Sequence, residues 1–341
     1  MRFRSIVLTC ALLSVAASAH AQWTRVEDVP ITNIYSVWAN GDTLTATADS
    51  LVYVSVNGGA SWKETAKVAA GVTSVQTARM RNGRLYAGTF GQGVFASDNL
   101  GDSWLAFNQG LTGGFLNTQL FIADFALDGG KLYAATSGDG PWMRNLATNA
   151  NWTHFSNIFE PNQASNMNGI AAGGTQLLAS AGFNGTVFFR NAGDSDWTLS
   201  WLNNIGIAPG LAALNAIWSG SQWVVGANSG IFYSAQGKSP WTFVDLGISP
   251  LLSSALARRG SDLFGAFGDG NTAVVEFSLD HGVTWHVLDT LPATFVFALA
   301  THGDTLYAAR FDGLWTRSIS TVAAKPATWG SLKNLYRTPK K

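Results

Sequence analysis

Cysteine is all but missing from this 341-residue chain: the only one, Cys10, lies in a leader-like N-terminal segment, so the rest can form no disulfide and offers no thiolate to a metal or a substrate. Charge is scarce as well, at 12% of residues, and it is balanced at 21 basic against 21 acidic side chains, which leaves no electrostatic case for nucleic acid. Histidine is rare, and His154, His281, His286 and His302 show no His-x-x-x-His spacing of a helical metal site. The glycine-rich phrases Gly88-Thr-Phe-Gly-Gln-Gly93 and Gly268-Asp-Gly270 lack the Lys-Ser/Thr of a phosphate loop and read as β-turns. Past the leader there is no apolar run long enough to cross a bilayer as a helix. No cofactor and no metal are expected from such a chain.

Residues 1–21 have the form of a cleavable signal peptide. Arg2 and Arg4 precede an apolar run, Ser5 to Ser18, and Ala19-His20-Ala21 puts small residues where a signal peptidase reads, so cleavage is expected before Gln22 and the protein is expected to be secreted or periplasmic. A lipid-attachment role for Cys10 fits less well, because Val7-Leu-Thr-Cys10 is a poor lipobox and would leave almost no hydrophobic segment. Removing Arg2 and Arg4 from the 21 basic residues leaves 19 against 21 acidic ones.

What the chain does have is a period. Tryptophan returns at Trp23, Trp62, Trp104, Trp152, Trp197, Trp241 and Trp285, at intervals of 39 to 48 residues. A second column opens short strands after a turn, as in Gly83-Arg-Leu-Tyr-Ala-Gly88, Gly130-Lys-Leu-Tyr-Ala-Ala135 and Gly303-Asp-Thr-Leu-Tyr-Ala308. A third places bulky residues at matched positions, Tyr53, Phe95, Trp142, Phe188, Phe232 and Trp315, with Glu276 the exception. Four short strands per unit of 40 to 50 residues, in a chain with 37 glycines and 47% hydrophobic residues, predict an all-β, single seven-bladed β-propeller of four-stranded blades over residues 22–319. The inner strands of the seven units fall at about 31–56, 73–98, 119–145, 166–191, 211–235, 252–279 and 294–318. The seventh unit lacks a tryptophan strand of its own, and Gln22-Trp-Thr-Arg-Val26 supplies it, so the ring is expected to be closed by the N-terminal strand, which removes an exposed sheet edge.

In three units the tryptophan ends a fuller phrase: Ser55-Val-Asn-Gly-Gly-Ala-Ser-Trp62, Ser97-Asp-Asn-Leu-Gly-Asp-Ser-Trp104 and Ser278-Leu-Asp-His-Gly-Val-Thr-Trp285. In such a hairpin an Asp or Asn side chain accepts hydrogen bonds from turn N–H groups and the glycine takes positive φ. A carboxylate in a turn also looks like a metal or catalytic group, but Asn57 and Asn99 stand where Asp280 does, so the charge is dispensable and a structural lock is expected of Asn57, Gly59, Trp62, Asn99, Gly101, Trp104, Asp280, Gly282 and Trp285. With these phrases the chain resembles the Asp-box, or bacterial neuraminidase, repeat proteins, a group that includes sialidases, tandem-propeller xyloglucanases, sortilin-type receptors and photosystem II assembly factors. The resemblance spans the whole propeller but speaks to the blade, not to an activity.

The sialidase members of that group imply three converging arginines, a Tyr/Glu pair and an early Arg-Ile-Pro phrase. Here the early segment reads Val29-Pro-Ile-Thr-Asn-Ile-Tyr35, while Arg79, Arg81, Arg258 and Arg259 are expected in first-to-second-strand hairpins, on the Asp-box face. Arg310 alone falls near the opposite face. A glycosidase needs two carboxylates across a cleft, and the candidates Asp49, Asp139, Asp269, Asp312 and Glu160 are scattered one per blade, as turn residues would be.

Aligned innermost strands give two channel columns. One reads Tyr35, Gln76, Ala123, Asn168, Asn215, Ser254 and Phe297, and the next reads Ser36, Thr77, Asp124, Gly169, Ala216, Ala255 and Ala298, in which Asp124 is the odd member. The amides would hold a sugar, a peptide backbone or ordered water. Longer inter-blade loops on the same face carry Phe159 and Trp201, a mixture with Asn suited to protein or glycan contact. The expected ligand-binding residues are therefore Gln76, Asp124, Asn168, Asn215, Arg310, Phe159 and Trp201, on the face opposite the Asp boxes.

Residues 320–341 form a linker and a short basic tail, with Trp329, Leu332, Leu335 and Tyr336 spaced for one helical face, read as a frayed end or as a docking signal. The leading expectation is an exported, monomeric, non-catalytic propeller that binds a protein or glycan partner. The alternative is an extracytoplasmic glycoside hydrolase or lyase of the same fold.

Overall fold

A computed structural model describes residues 22–320, apart from 31, 113–114, 149, 155–165, 183, 205, 207–209, 248–252, 270 and 293–294. Seven four-stranded antiparallel sheets follow one another as blades around a central channel, and the only helical turn among the described residues is a 3-10 segment, Phe115–Leu120. The second strand of each blade is almost wholly enclosed. Thr43–Ala48 in blade 1, Arg84–Thr89 in blade 2 and Lys131–Thr136 in blade 3 are buried at every position after the first. Blades stack face to face, so both sides of these strands meet a neighbouring sheet, which explains why small residues alternate with one large one.

The matched bulky column packs where the sequence places it. Tyr53, Phe95, Trp142, Phe188, Phe232 and Trp315 each lie on a third strand opposite Ala46, Ala87, Ala134, Ala179, Val225 and Ala308. In blade 6 the pair is Glu276 opposite Gly265. A Cβ on Gly265 would come within 2.3 Å of the Phe267 ring, so Phe267 fills the missing aromatic's volume, packed edge-on against Trp285 at 5.8 Å.

Glu276 itself is buried, its Oε2 meets no hydrogen-bond partner among the described residues, and burial pushes its carboxyl above the usual range. A raised carboxyl binds a proton more tightly in the folded chain than in the unfolded one. Its contribution is therefore complete below the unfolded pKa and is lost as pH rises through the folded one. Glu276→Met, which keeps the length and removes the charge, is expected to stabilise the protein by about 1–3 kcal/mol at pH 8 and by less at pH 4. Urea unfolding at the two pH values tests this; an equal gain at both would refute the assignment to ionisation.

The three hairpins whose phrases resemble Asp boxes join the third and fourth strands of their blades. In blade 6, Asp280 Oδ1 accepts from Ser278 Oγ at 2.8 Å and from Thr284 N at 2.9 Å, while Gly282 N donates to Ser278 Oγ at 2.8 Å. Asn57 and Asn99 accept the same backbone bond, from Ser61 N at 3.1 Å and Ser103 N at 3.0 Å. One acceptor oxygen suffices, so amide and carboxylate make the same turn. The box glycines sit tight against the preceding blade: a Cβ on Gly59 would lie 2.1 Å from Tyr307 Oη, and one on Gly282 would lie 2.7 Å from Val224. At φ +87° and +96° both positions also disfavour any residue with a Cβ.

Three of the recurring tryptophans bond to the preceding blade. The indole N–H of Trp104 donates to Ala66 O at 3.1 Å, that of Trp152 to Phe107 O at 2.6 Å, and that of Trp241 to Ser200 Oγ at 3.1 Å, each on the preceding blade. Trp285 donates within its own hairpin, to Gly282 O at 3.0 Å. At the closure, Thr24 and Arg25 pair with Thr316 and Trp315, so the N-terminal strand is the fourth strand of blade 7. Trp23 there bonds to the preceding blade as Trp104, Trp152 and Trp241 do, donating to Asp289 Oδ2 of blade 6 at 3.0 Å.

Candidate functional site at the channel mouth

The first strand of six blades carries a β-bulge near its start. In blade 1, Ile34 pairs with Ala48 and Ser36 with Thr47, which leaves Tyr35 as the extra residue. The same slip leaves Gln76, Ala123, Asn168, Leu214 and Phe297 unpaired in blades 2, 3, 4, 5 and 7. Blade 6 pairs continuously from Ser253 to Arg259. A bulge re-aims a side chain out of the pleat, and all six extra residues line the cavity at the channel end opposite the Asp boxes, with Tyr35, Gln76, Asn168, Leu214 and Phe297 larger than Ala123.

This register corrects one expectation. Asn215 pairs with Gly226 and occupies the second ring, with Ser36, Thr77, Asp124 and Gly169, while Leu214 takes its place beside Gln76 and Asn168. Simple alignment of the apolar strands missed the offset because a bulge leaves no mark in the hydrophobic pattern.

The expected residues thus separate into groups. Gln76, Asp124, Asn168 and Asn215 do line one channel. Gln76 is tied to Ser74 Oγ, and Asn168 Nδ2 donates to Ala213 O at 2.9 Å, which links blades 4 and 5. Arg310 is on the same face but outside the channel lining. Its Nη2 donates to Asp312 Oδ2 at 3.0 Å and its guanidinium lies 4.6 Å from the Trp315 ring, with burial pulling its pKa down and Asp312 opposing that shift. Trp201 is not in a loop: it ends the fourth strand of blade 4, Thr198–Trp201, paired with Thr186. Phe159 lies outside the described residues. The turn carboxylates are bonded locally, Asp49 to Thr32, Asp139 to Trp142 Nε1, Asp269 to the backbone of Asn271 and Thr272, and Asp312 to Arg310.

Asp124 has an internal role that the sequence did not reveal. Its Oδ1 accepts from Arg79 Nη2 at 2.7 Å, Thr77 Oγ1 at 3.3 Å and Phe125 N at 2.7 Å, and its Oδ2 accepts from Ile170 N at 3.3 Å. These groups come from blades 2, 3 and 4. Arg79 was expected in a hairpin; it belongs instead to the first strand of blade 2, Val75–Arg81, and Arg258 and Arg259 likewise belong to the first strand of blade 6. Burial draws the Arg79 guanidinium below its usual pKa, and Asp124 counters this.

Aromatic residues complete the mouth. Tyr35 and Phe297 approach to 6.3 Å between ring centroids, and Phe295 stacks on Phe297 at 6.2 Å. Between blades 2 and 3, Phe90 meets Phe121 edge-on at 4.7 Å. Phe297, Phe90 and Phe311 are 39%, 55% and 59% exposed. Tyr35 and Phe297 stood at matched positions in the channel column; nothing in the sequence separated Phe90 and Phe121 from turn residues.

No family model and no curated protein matches this chain. Among solved structures, YCF48 bound to a D1 peptide is similar at 14% identity and a TM-score of 0.64, over 88% of this chain and 97% of that one. A chain of the mitotic checkpoint complex is similar at 16% identity and a TM-score of 0.65, covering 92% and 99%. The extracellular domain of a putative one-component system from B. thetaiotaomicron is similar at 11% identity and a TM-score of 0.65, over 87% of this chain and 40% of that longer one. At such identities the likeness is one of fold alone, and the sheets make this chain a seven-bladed β-propeller.

Proposed function

We propose that this protein is an exported, non-catalytic propeller that captures an extended segment of a partner protein on the face opposite its Asp boxes. The observation that carries the reading is the exposed aromatic mouth of Tyr35, Phe297 and Phe295, set beside the amides of Gln76 and Asn168. Rings supply contact area at low conformational cost, and amides pair with a peptide backbone. The peptide carried by the similarly folded YCF48 chain supports a peptide ligand. The leader-like residues 1–21 support export, and the resemblance of the hairpins to Asp boxes supports a place among those repeat proteins.

Selection of a displayed peptide library on the purified protein is expected to enrich sequences with an apolar or aromatic anchor. Their binding should weaken by about tenfold or more when Tyr35 and Phe297 are both replaced by alanine. Enriched peptides that bind the double variant as tightly as the native protein would place the site elsewhere.

A further inference from the structure

The channel has a second mouth, at the Asp-box face, whose chemistry a peptide site on the opposite face does not use. The channel encloses about 1020 Å³, and the charged side chains along it are Arg79, Arg81, Arg258 and Asp124. Asp124 is engaged by Arg79. Arg81 and Arg258 are thus left without a carboxylate partner among the described residues, and no other acidic side chain lines the cavity.

Both residues sit near the Asp-box ends of their strands. Arg81 closes the first strand of blade 2 and is half-buried. Arg258 is exposed near the end of the first strand of blade 6, its Nη1 held by Trp218 O at 2.9 Å. Blades 2 and 6 stand across the ring from each other, so the two cations line opposite walls. Two indoles also line the channel. Trp38 lies 5.8 Å from the Arg79 guanidinium, and Trp218 rests against blade 4, where a Cβ on Gly173 would come 2.1 Å from the Trp218 Cβ. The exposed amides of Asn40 and Asn82 complete the rim.

With one guanidinium half-buried, the other exposed and no carboxylate partner for either, this rim carries net positive charge that attracts an anionic ligand. The planar guanidinium forks match carboxylates. Indole faces suit the aliphatic faces of pyranose rings, and amides pair with hydroxyls. We infer that this mouth binds an acidic oligosaccharide, with uronate carboxylates on Arg81 and Arg258 and a sugar ring against Trp218. The site is independent of the aromatic mouth on the opposite face.

Calorimetric titration of the mature protein at low salt with galacturonate hexamer, maltohexaose and hexaglutamate tests the assignment. The galacturonate hexamer is expected to bind, about tenfold or more weakly in the R81A/R258A variant, and to lose affinity as salt is raised. Maltohexaose should show no comparable affinity, and the Y35A/F297A variant should bind galacturonate as the native protein does. Thermal melting of each variant confirms that the ring is intact. No galacturonate binding by the native protein, equal binding by the folded R81A/R258A variant, or tighter binding of hexaglutamate would each overturn the proposal.

Discussion

Replacing Trp23 with alanine is expected to destabilise the propeller by about 3 kcal/mol, and deleting residues 22–26 is expected to leave it largely unfolded or aggregated. Trp23 packs against the buried cluster between blades 6 and 7 that contains Leu291, Val296, Leu306 and Ile319. Its indole N–H is one of two donors on Asp289 Oδ2, the other being Arg317 Nη1. Loss of the ring therefore leaves a cavity and removes one support from a carboxylate that spans two blades. Deletion goes further, because it uncovers the third strand of blade 7, Gly313–Ser318, along the edge where Thr24, Arg25 and Val26 now bond. Chemical denaturation of the alanine variant, and size-exclusion chromatography of the deletion, give the readouts. A deletion variant that keeps the native elution volume and unchanged melting would show that the ring closes without this strand.

The second large effect belongs to the channel. Arg79→Met is expected to cost about 2–3 kcal/mol, somewhat under the usual penalty for breaking a buried pair because the pair retains some contact with solvent. The side chains of Arg79 and Asp124 are 13% and 28% exposed. Asp124→Asn in the same background should recover at least about 1 kcal/mol, since it removes the stranded charge while its one remaining oxygen still accepts from Phe125 N. A double-mutant cycle by urea unfolding reads this coupling directly. Additive losses would mean that the two side chains act separately. Measuring the same variants with selected peptides separates a structural role from a binding one: if Asp124 only braces blades 2, 3 and 4, peptide affinity stays within a few-fold of native wherever the ring remains folded.

The two halves of this protein's chemistry differ in how far they can be read in advance. Blade number, strand order and the closing strand follow from residues recurring at one period, because each blade solves the same packing problem with the same local pattern. The bulky column shows this best: Glu276 stands out in the aligned sequence, and it is also the member that is buried without a partner for its Oε2 among the described residues. Other positions depend on contacts between blades. Trp201 reads like a loop residue because Leu202-Asn-Asn follows it, yet the fourth strand of blade 4 extends through it to pair with Thr186. Arg79 reads like a hairpin residue because it precedes Asn82-Gly83, yet its guanidinium turns into the channel toward a carboxylate 45 residues away.

By itself the sequence determined a seven-bladed ring, its closure through Trp23, and hairpins in which an Asn or Asp oxygen serves equally well, since these rest on local hydrogen bonding and on a repeated hydrophobic period. Only the tertiary structure decided which side chains share the channel. The bulges shift the register of six first strands, and pairs such as Arg79 with Asp124 or Tyr35 with Phe297 form between residues 45 and more positions apart in the chain. The physical reason is that a one-residue slip changes which face a side chain occupies without changing the composition that the sequence displays.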